Sequence, residues 1–199
     1  MTRLLKGTVS TTLFKPNKVP KTVGEARECL ERFSFKKLES TDIRDESSGW
    51  VDAILCFDNE NFSSLMHDRF FVFALRTDKY SFSASQLRPY VEEAEFVFKK
   101  ENNLEYIAAQ QKKEIKEQVI KKLKSNSFPK TTVIEVAWDM ESRLVYFFSQ
   151  SGQVIAKFTD IFEKTFETTL ENVYIFDSLK KMGTVEKVEP VFAKIWSVK

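Results

Sequence analysis

Gly49-Trp50-Val51-Asp52-Ala53-Ile54-Leu55-Cys56-Phe57 and Phe70-Phe71-Val72-Phe73-Ala74-Leu75-Arg76 are the two stretches whose reading decides the fold. Both are short, apolar and rich in β-branched and aromatic residues, so both read as strands. The interval between them, Asn59–Asp68, is polar and loop-like, which makes them neighbours with no helix between. Upstream, Thr22-Val23-Gly24-Glu25 is a capping-box pattern, and Val23, Ala26, Leu30 and Phe33 mark the inward face of a first helix. Before it, Leu5, Gly7, Val9, Thr11 and Leu13 alternate with Lys6, Thr8, Ser10 and Thr12, the period of a strand closed by Pro16.

Downstream, Ser83 or Ser85 can cap a second helix whose pattern runs to about Lys124, with Asn102-Asn103 as a candidate interruption. Val133–Trp138 and Leu144–Ser149 read as a hairpin across Asp139–Ser142. Ser151-Gly152 then precedes a helix striped by Val154, Phe158, Ile161, Phe162, Phe166 and Leu170. The first six elements run β-α-β-β-α-β, the order of a split βαβ or ferredoxin-like unit. The expectation is therefore an α+β fold: a ferredoxin-like core extended by a further strand and helix, with one long basic helix. Val191, Phe192, Ile195 and Trp196 are too apolar for a solvated tail, so the C-terminus is expected to dock.

With 42% hydrophobic and 30% charged residues over 199 positions, the chain can bury a core, which excludes global disorder. No run approaches the roughly 18 apolar residues of a membrane span, and Met1–Phe14 lacks the apolar stretch of a signal peptide. Cys29 and Cys56 form no C-x-x-C pair and read as small core residues. A soluble, cytoplasmic protein in a reduced compartment is expected.

The net charge of +2 is modest, but its distribution is uneven. Residues 99–130 hold nine lysines (99, 100, 112, 113, 116, 121, 122, 124 and 130) against four glutamates (101, 105, 114 and 117), a surplus of five. At 3.6 residues per turn, Ala108, Ile115, Val119 and Leu123 share an inward arc, while Lys113, Lys116, Lys121 and Lys124 fan across the neighbouring face. Lys112 lies near the seam, its stem running outward over apolar surface. Ammonium groups spaced along a rigid helix suit a phosphate backbone, and lysine lacks the planar fork that reads guanine, so contact would be independent of sequence. The same pattern also describes a solvated helix braced by its own Glu and Lys residues. Arg76 and Lys79, at a strand end, either extend the basic surface or are ordinary strand-end charges, and Lys130 after Pro129 is a similar case.

The 19 phenylalanines sit mainly on inward faces, so they read as core rather than as base-stacking platforms. His67 lies beside Asp68 in a polar loop with no nucleophile placed near it. Carboxylates cluster in loops or alternate with lysines on helices, which is not the convergence that two-metal phosphodiester cleavage requires. The five glycines form no phosphate-cradling loop. No catalytic residue, metal or cofactor is expected.

Four stretches in order carry a resemblance: Gly49-Trp50-Val51; Phe73-Ala74-Leu75-Arg76-Thr77-Asp78-Lys79; Lys112-Lys113-Glu114-Ile115-Lys116-Glu117-Gln118-Val119; and Ser127-Phe128 followed by Trp138. Over about residues 3–170 the chain resembles the recombination-associated RdgC family of bacteria. The resemblance implies a ring-shaped homodimer that encircles double-stranded DNA without sequence preference, associated with the nucleoid. Such a protein restrains RecA-type recombinase by occupying DNA. Together with the helix-face reading, the resemblance puts expected DNA contact on Arg76, Lys79, Lys112, Lys113, Lys116, Lys121, Lys124 and Lys130, and it implies a dimer contact on Phe128. The family's Leu-Pro-Arg-Ala-Phe stands here as Lys124-Ser125-Asn126-Ser127-Phe128. Family members carry a longer C-terminal region, so a short homologue is expected, with residues 1–172 as the RdgC-like domain and 173–199 as an extension. The alternative is a non-catalytic protein-interaction module that keeps the fold without forming the ring.

Overall fold

In a computed structural model, which describes residues 10–39, 42 and 44–173, the chain folds into four helices and a seven-stranded sheet. In order these are β1 (Thr12–Pro16), α1 (Val23–Arg32), β2 (Glu46–Asp52), β3 (Met66–His67), β4 (Phe70–Lys79), α2 (Ala84–Glu101), α3 (Ala109–Ser125), β5 (Lys130–Asp139), β6 (Leu144–Phe147), α4 (Gly152–Phe166) and β7 (Leu170–Asn172). The α+β class is as expected. Of the first predicted strand, Leu5–Val9 lie outside the described residues, as does the C-terminal extension after Val173.

Thr22 caps α1: its Oγ1 accepts the Glu25 N–H at 3.1 Å, while Glu25 Oε2 accepts the Lys21 N–H at 2.8 Å. Ala26 and Leu30 face inward as expected, but Val23 is left exposed in the first turn. The second strand departs further from its sequence reading. It starts at Glu46 and stops at Asp52, because that carboxylate turns the chain. Asp52 Oδ1 accepts the N–H of Ile54 (2.8 Å) and Leu55 (2.9 Å), and Oδ2 accepts that of Ser64 (2.7 Å). Ile54, Leu55, Cys56 and Phe57, read as strand, with Cys56 also read as core, are therefore exposed on a turn.

The strand order is β2-β4-β5-β6-β1-β7, with β3 paired to β4. The β1–β6, β1–β7, β3–β4 and β5–β6 pairs are antiparallel. A split βαβ would leave one strand between β1 and β2. Here three lie between them, so the ferredoxin-like pairing is not the one adopted. The reason lies in the added elements: β6 and β7 take both edges of β1, aligning Leu13 with Tyr146 and Lys15 with Glu171.

The chain divides into two compact units. The first takes residues up to Ser34, Trp50–Leu75 and those from Ile134 onward; the second takes Phe35–Gly49 and Arg76–Val133. The first is built on aromatic packing. Trp50 meets Phe73 edge-on at 5.1 Å, Phe147 stacks on Phe158 at 4.0 Å, and Trp138 lies 5.2 Å from Phe162. Each fully buried aromatic contributes about 1.5–3 kcal/mol by leaving water. The Trp50 indole N–H also donates to Thr165 Oγ1 at 2.7 Å, which in turn donates to the Ile161 carbonyl. The α4 stripe is as the sequence foretells up to Phe166; Leu170 falls in β7 instead.

The second unit holds the main topological surprise. The expected long helix is two, α2 and α3, folded against each other. Asn102 ends α2 with its backbone N–H and side-chain amide both on the Phe98 carbonyl, and Asn103 takes the left-handed conformation (φ 50°). The buried Ile107 then anchors the return, and Gln111 Oε1 accepts the Ala108 N–H at 3.0 Å to start α3. Ile107, Ile115 and Val119 form a small core with Val91, Ala94, Phe98 and Leu123.

Candidate nucleic-acid interface

Helix α3 has two unlike faces. Ile115, Val119 and Leu123 recur at i, i+4 and i+8, which places them on one stripe, and that stripe packs on α2. Fanning out from one edge of that stripe to the far side of the helix, Lys116, Lys113 and Lys121 are exposed and form no ion pair among the described residues. Lys122 and Lys130 are exposed in the same way; the sequence reading left Lys122 out of the candidate set, although an exposed lysine on α3 is visible in the pattern.

The remaining candidates are already engaged. The Arg76 guanidinium grips Asp78 through two nitrogens at 2.8 and 3.0 Å and stacks over the Phe35 ring at 4.3 Å. Lys79 lies 3.3 Å from Glu46, and Lys112 lies 3.7 Å from Glu95 on α2. Lys124 departs most from expectation. It is only 5% exposed, its Nζ 2.6 Å from Asp45 and 3.4 Å from the carbonyls of Asp42 and Arg44, with the Tyr80 ring 5.8 Å away. Asp42, Arg44 and Asp45 surround the Lys124 ammonium group, so Lys124 does not belong to the exposed face. Nothing local to α3 signals this, because its partners lie far away in sequence.

On the apolar side a groove of about 730 Å³ runs between the two helices. Tyr90, Ala94, Val97 and Phe98 from α2 face Val119 and Leu123 from α3 across it, and Phe82 and Ser127 close one end. Phe128 follows directly and is 98% exposed. Sequence reading located Phe128 but not the groove, which requires the hairpin to be folded. Among the described residues no group of three or more His, Cys, Asp and Glu side chains is placed to hold a metal ion. His67, at the exposed end of β3, stands apart from these features, and no helix among the described residues is long and apolar enough to cross a membrane.

The fold and these lysines define an α+β protein with a cationic helical hairpin, a surface that attracts polyanions. A family model described as "Putative exonuclease, RdgC" matches residues 10–181, and the chain belongs to the RdgC family. That membership points to a DNA-related, recombination-associated role. No curated protein matches the chain.

Proposed function

We propose that this protein binds double-stranded DNA through its phosphate backbone, without sequence preference and without cleaving it, as a homodimer associated with the nucleoid. By occupying duplex DNA it would limit access of RecA-type recombinase. The observation that carries the reading is the exposed fan of Lys113, Lys116 and Lys121 on α3, without an ion pair among the described residues, in a member of the RdgC family. The helix holds the lysine backbones in a fixed spacing, and each phosphate contact releases a counterion. Lys130 adds to the set, while Arg76, Lys79 and Lys112 join only by exchanging a carboxylate for a phosphate. Phe128 serves as the contact between copies: a fully presented aromatic beside an apolar groove is an interface anchor in waiting.

The non-catalytic reading is supported by where the acids go. Asp45, Glu46, Asp78 and Glu95 are each tied to a lysine or arginine rather than grouped with one another. Incubating labelled duplex with the protein and Mg²⁺ or Mn²⁺ tests this directly, since shortening of the strands would establish an exonuclease.

The test of the binding reading is duplex affinity across a salt series with two unrelated sequences. A dimer holding about six to eight phosphates gives a slope of log K on log salt near −5 to −7, equal for both sequences. Absence of binding at low salt would instead support a protein-interaction module, a reading favoured by the carboxylates already seated on Arg76, Lys79 and Lys124.

A further inference from the structure

We propose that Arg44 contacts a phosphate of the bound duplex and that Lys124, which the sequence would place on the DNA, is instead the residue that positions Arg44. The inference rests on the DNA-binding reading and adds to it a residue that lies outside the basic segment. Lys113 and Lys124 are nearly eclipsed on α3 about three turns apart, so the segment carrying Asp42, Arg44 and Asp45, which meets Lys124, lies at one end of the helix side that carries Lys113. Lys124 holds that segment at three points: the Asp45 carboxylate (2.6 Å) and the carbonyls of Asp42 and Arg44 (3.4 Å each). The Tyr80 N–H secures it further by donating to the Asp45 carbonyl at 2.8 Å.

With its backbone fixed in this way, the Arg44 side chain points outward, 60% exposed. It pairs with Asp42 at 3.5 Å, whose partly exposed carboxylate also accepts the Glu39 N–H at 3.0 Å and so keeps a partner when the guanidinium leaves. An ion pair so open to water contributes little, so a phosphate can replace the carboxylate, and the planar guanidinium can then bind it through two parallel hydrogen bonds. Lys124 matters a second time through charge. Among the described residues, Asp42 pairs with Arg44, Glu46 pairs with Lys79, and Lys124 cancels Asp45. Without Lys124, an uncompensated carboxylate would stand beside Arg44, repelling phosphate and competing for the guanidinium.

The experiment is the salt series on the unaltered full chain, Arg44→Gln, Lys124→Met and the double variant. Arg44→Gln should make the slope shallower by about one per engaged protomer on both sequences. Lys124→Met should do the same, and the double variant should lose no more than either alone. Unchanged slope in Arg44→Gln overturns the proposal, and because that residue is exposed, the variant carries the test even if Lys124→Met does not fold. Losses that add in the double variant would show Lys124 touching phosphate itself. A Lys124→Met protein with a lower melting temperature but an unchanged slope would make that lysine structural only, and overturns the positioning role. Lack of DNA binding by the unaltered protein removes the underlying reading, whereas weakening by Lys113→Glu with Lys116→Glu but not by Arg44→Gln removes this inference alone.

Discussion

Trp50 and Ile115 stand at the centres of the two units, and they are held very differently. Trp50 is fully buried, touches Phe73, Phe158 and Phe162 edge-on, and spends its one polar atom on Thr165. Ile115 belongs to a core of three buried residues and also lines the groove between α2 and α3. In α2 itself no residue is buried, and Tyr90, Phe96 and Val97 are exposed. The first unit draws its rings into a shared core, although Ile54, Leu55 and Phe57 stay exposed on the turn after Asp52; the second leaves its longest helix without a buried residue. The lesson is that the region with the chemistry of interest is the one least consolidated by packing, as sites that must meet a partner usually are.

Trp50→Ala should cost about 3–5 kcal/mol in denaturant unfolding, because the surrounding rings cannot close the space. Ile115→Ala should cost about 2 kcal/mol, the low end for such a truncation, since its site already opens on the groove. Equal losses would mean that the second unit is as tightly consolidated as the first. Lys113→Glu with Lys116→Glu should leave unfolding nearly unchanged and weaken binding to all duplex sequences equally, which places binding and stability on separate residues. Unchanged affinity would remove α3 from the binding reading. Thr22→Ala should cost about 1 kcal/mol through the lost α1 cap, a loss that calorimetry resolves as a lower melting temperature.

The smallest effect is a pH effect in the first unit. The Asp58 carboxylate accepts the Asn61 N–H (2.9 Å) and the Glu60 N–H (3.1 Å), and these bonds, that of Asn61 foremost, hold its pKa below the usual 3.8. A carboxylate lowered on folding adds stability that is fully present above its unfolded value and is lost as pH falls through the folded one. Stability should therefore decline below about pH 4, and Asp58→Asn should flatten part of that decline. An identical acid limb in the variant would show that the turn does not depend on the charge.

What was legible in the sequence follows from range. The α1 cap, the α4 stripe and the pairing of two apolar strands are local patterns, and each is where its residues imply. The break at Asn102-Asn103 was visible only as a candidate, since helix formers continue on both sides and the decisive contact is Ile107 reaching a folded-back core. Asp52 misled because a single carboxylate satisfying three amides ends a strand that hydropathy alone would continue. Lys113, Lys116 and Lys121 were legible because exposure on a helix is periodic. Lys124 was not, because its burial depends on Asp42–Asp45, many residues upstream. The groove and Arg44 depend in the same way on tertiary placement.

The seating of β1 has a consequence for the order in which the chain assembles. Thr12 bonds to Ser149 across 137 positions, and Lys18 to Thr168 across 150. The α2–α3 hairpin, by contrast, closes over a short loop. Closing long loops carries the greater entropic cost and slows folding, so the hairpin forms early and β1 docks last. During synthesis the first strand must wait, unpaired, until β6 and β7 have emerged. Refolding followed at Phe14 should accordingly lag behind refolding followed at the hairpin.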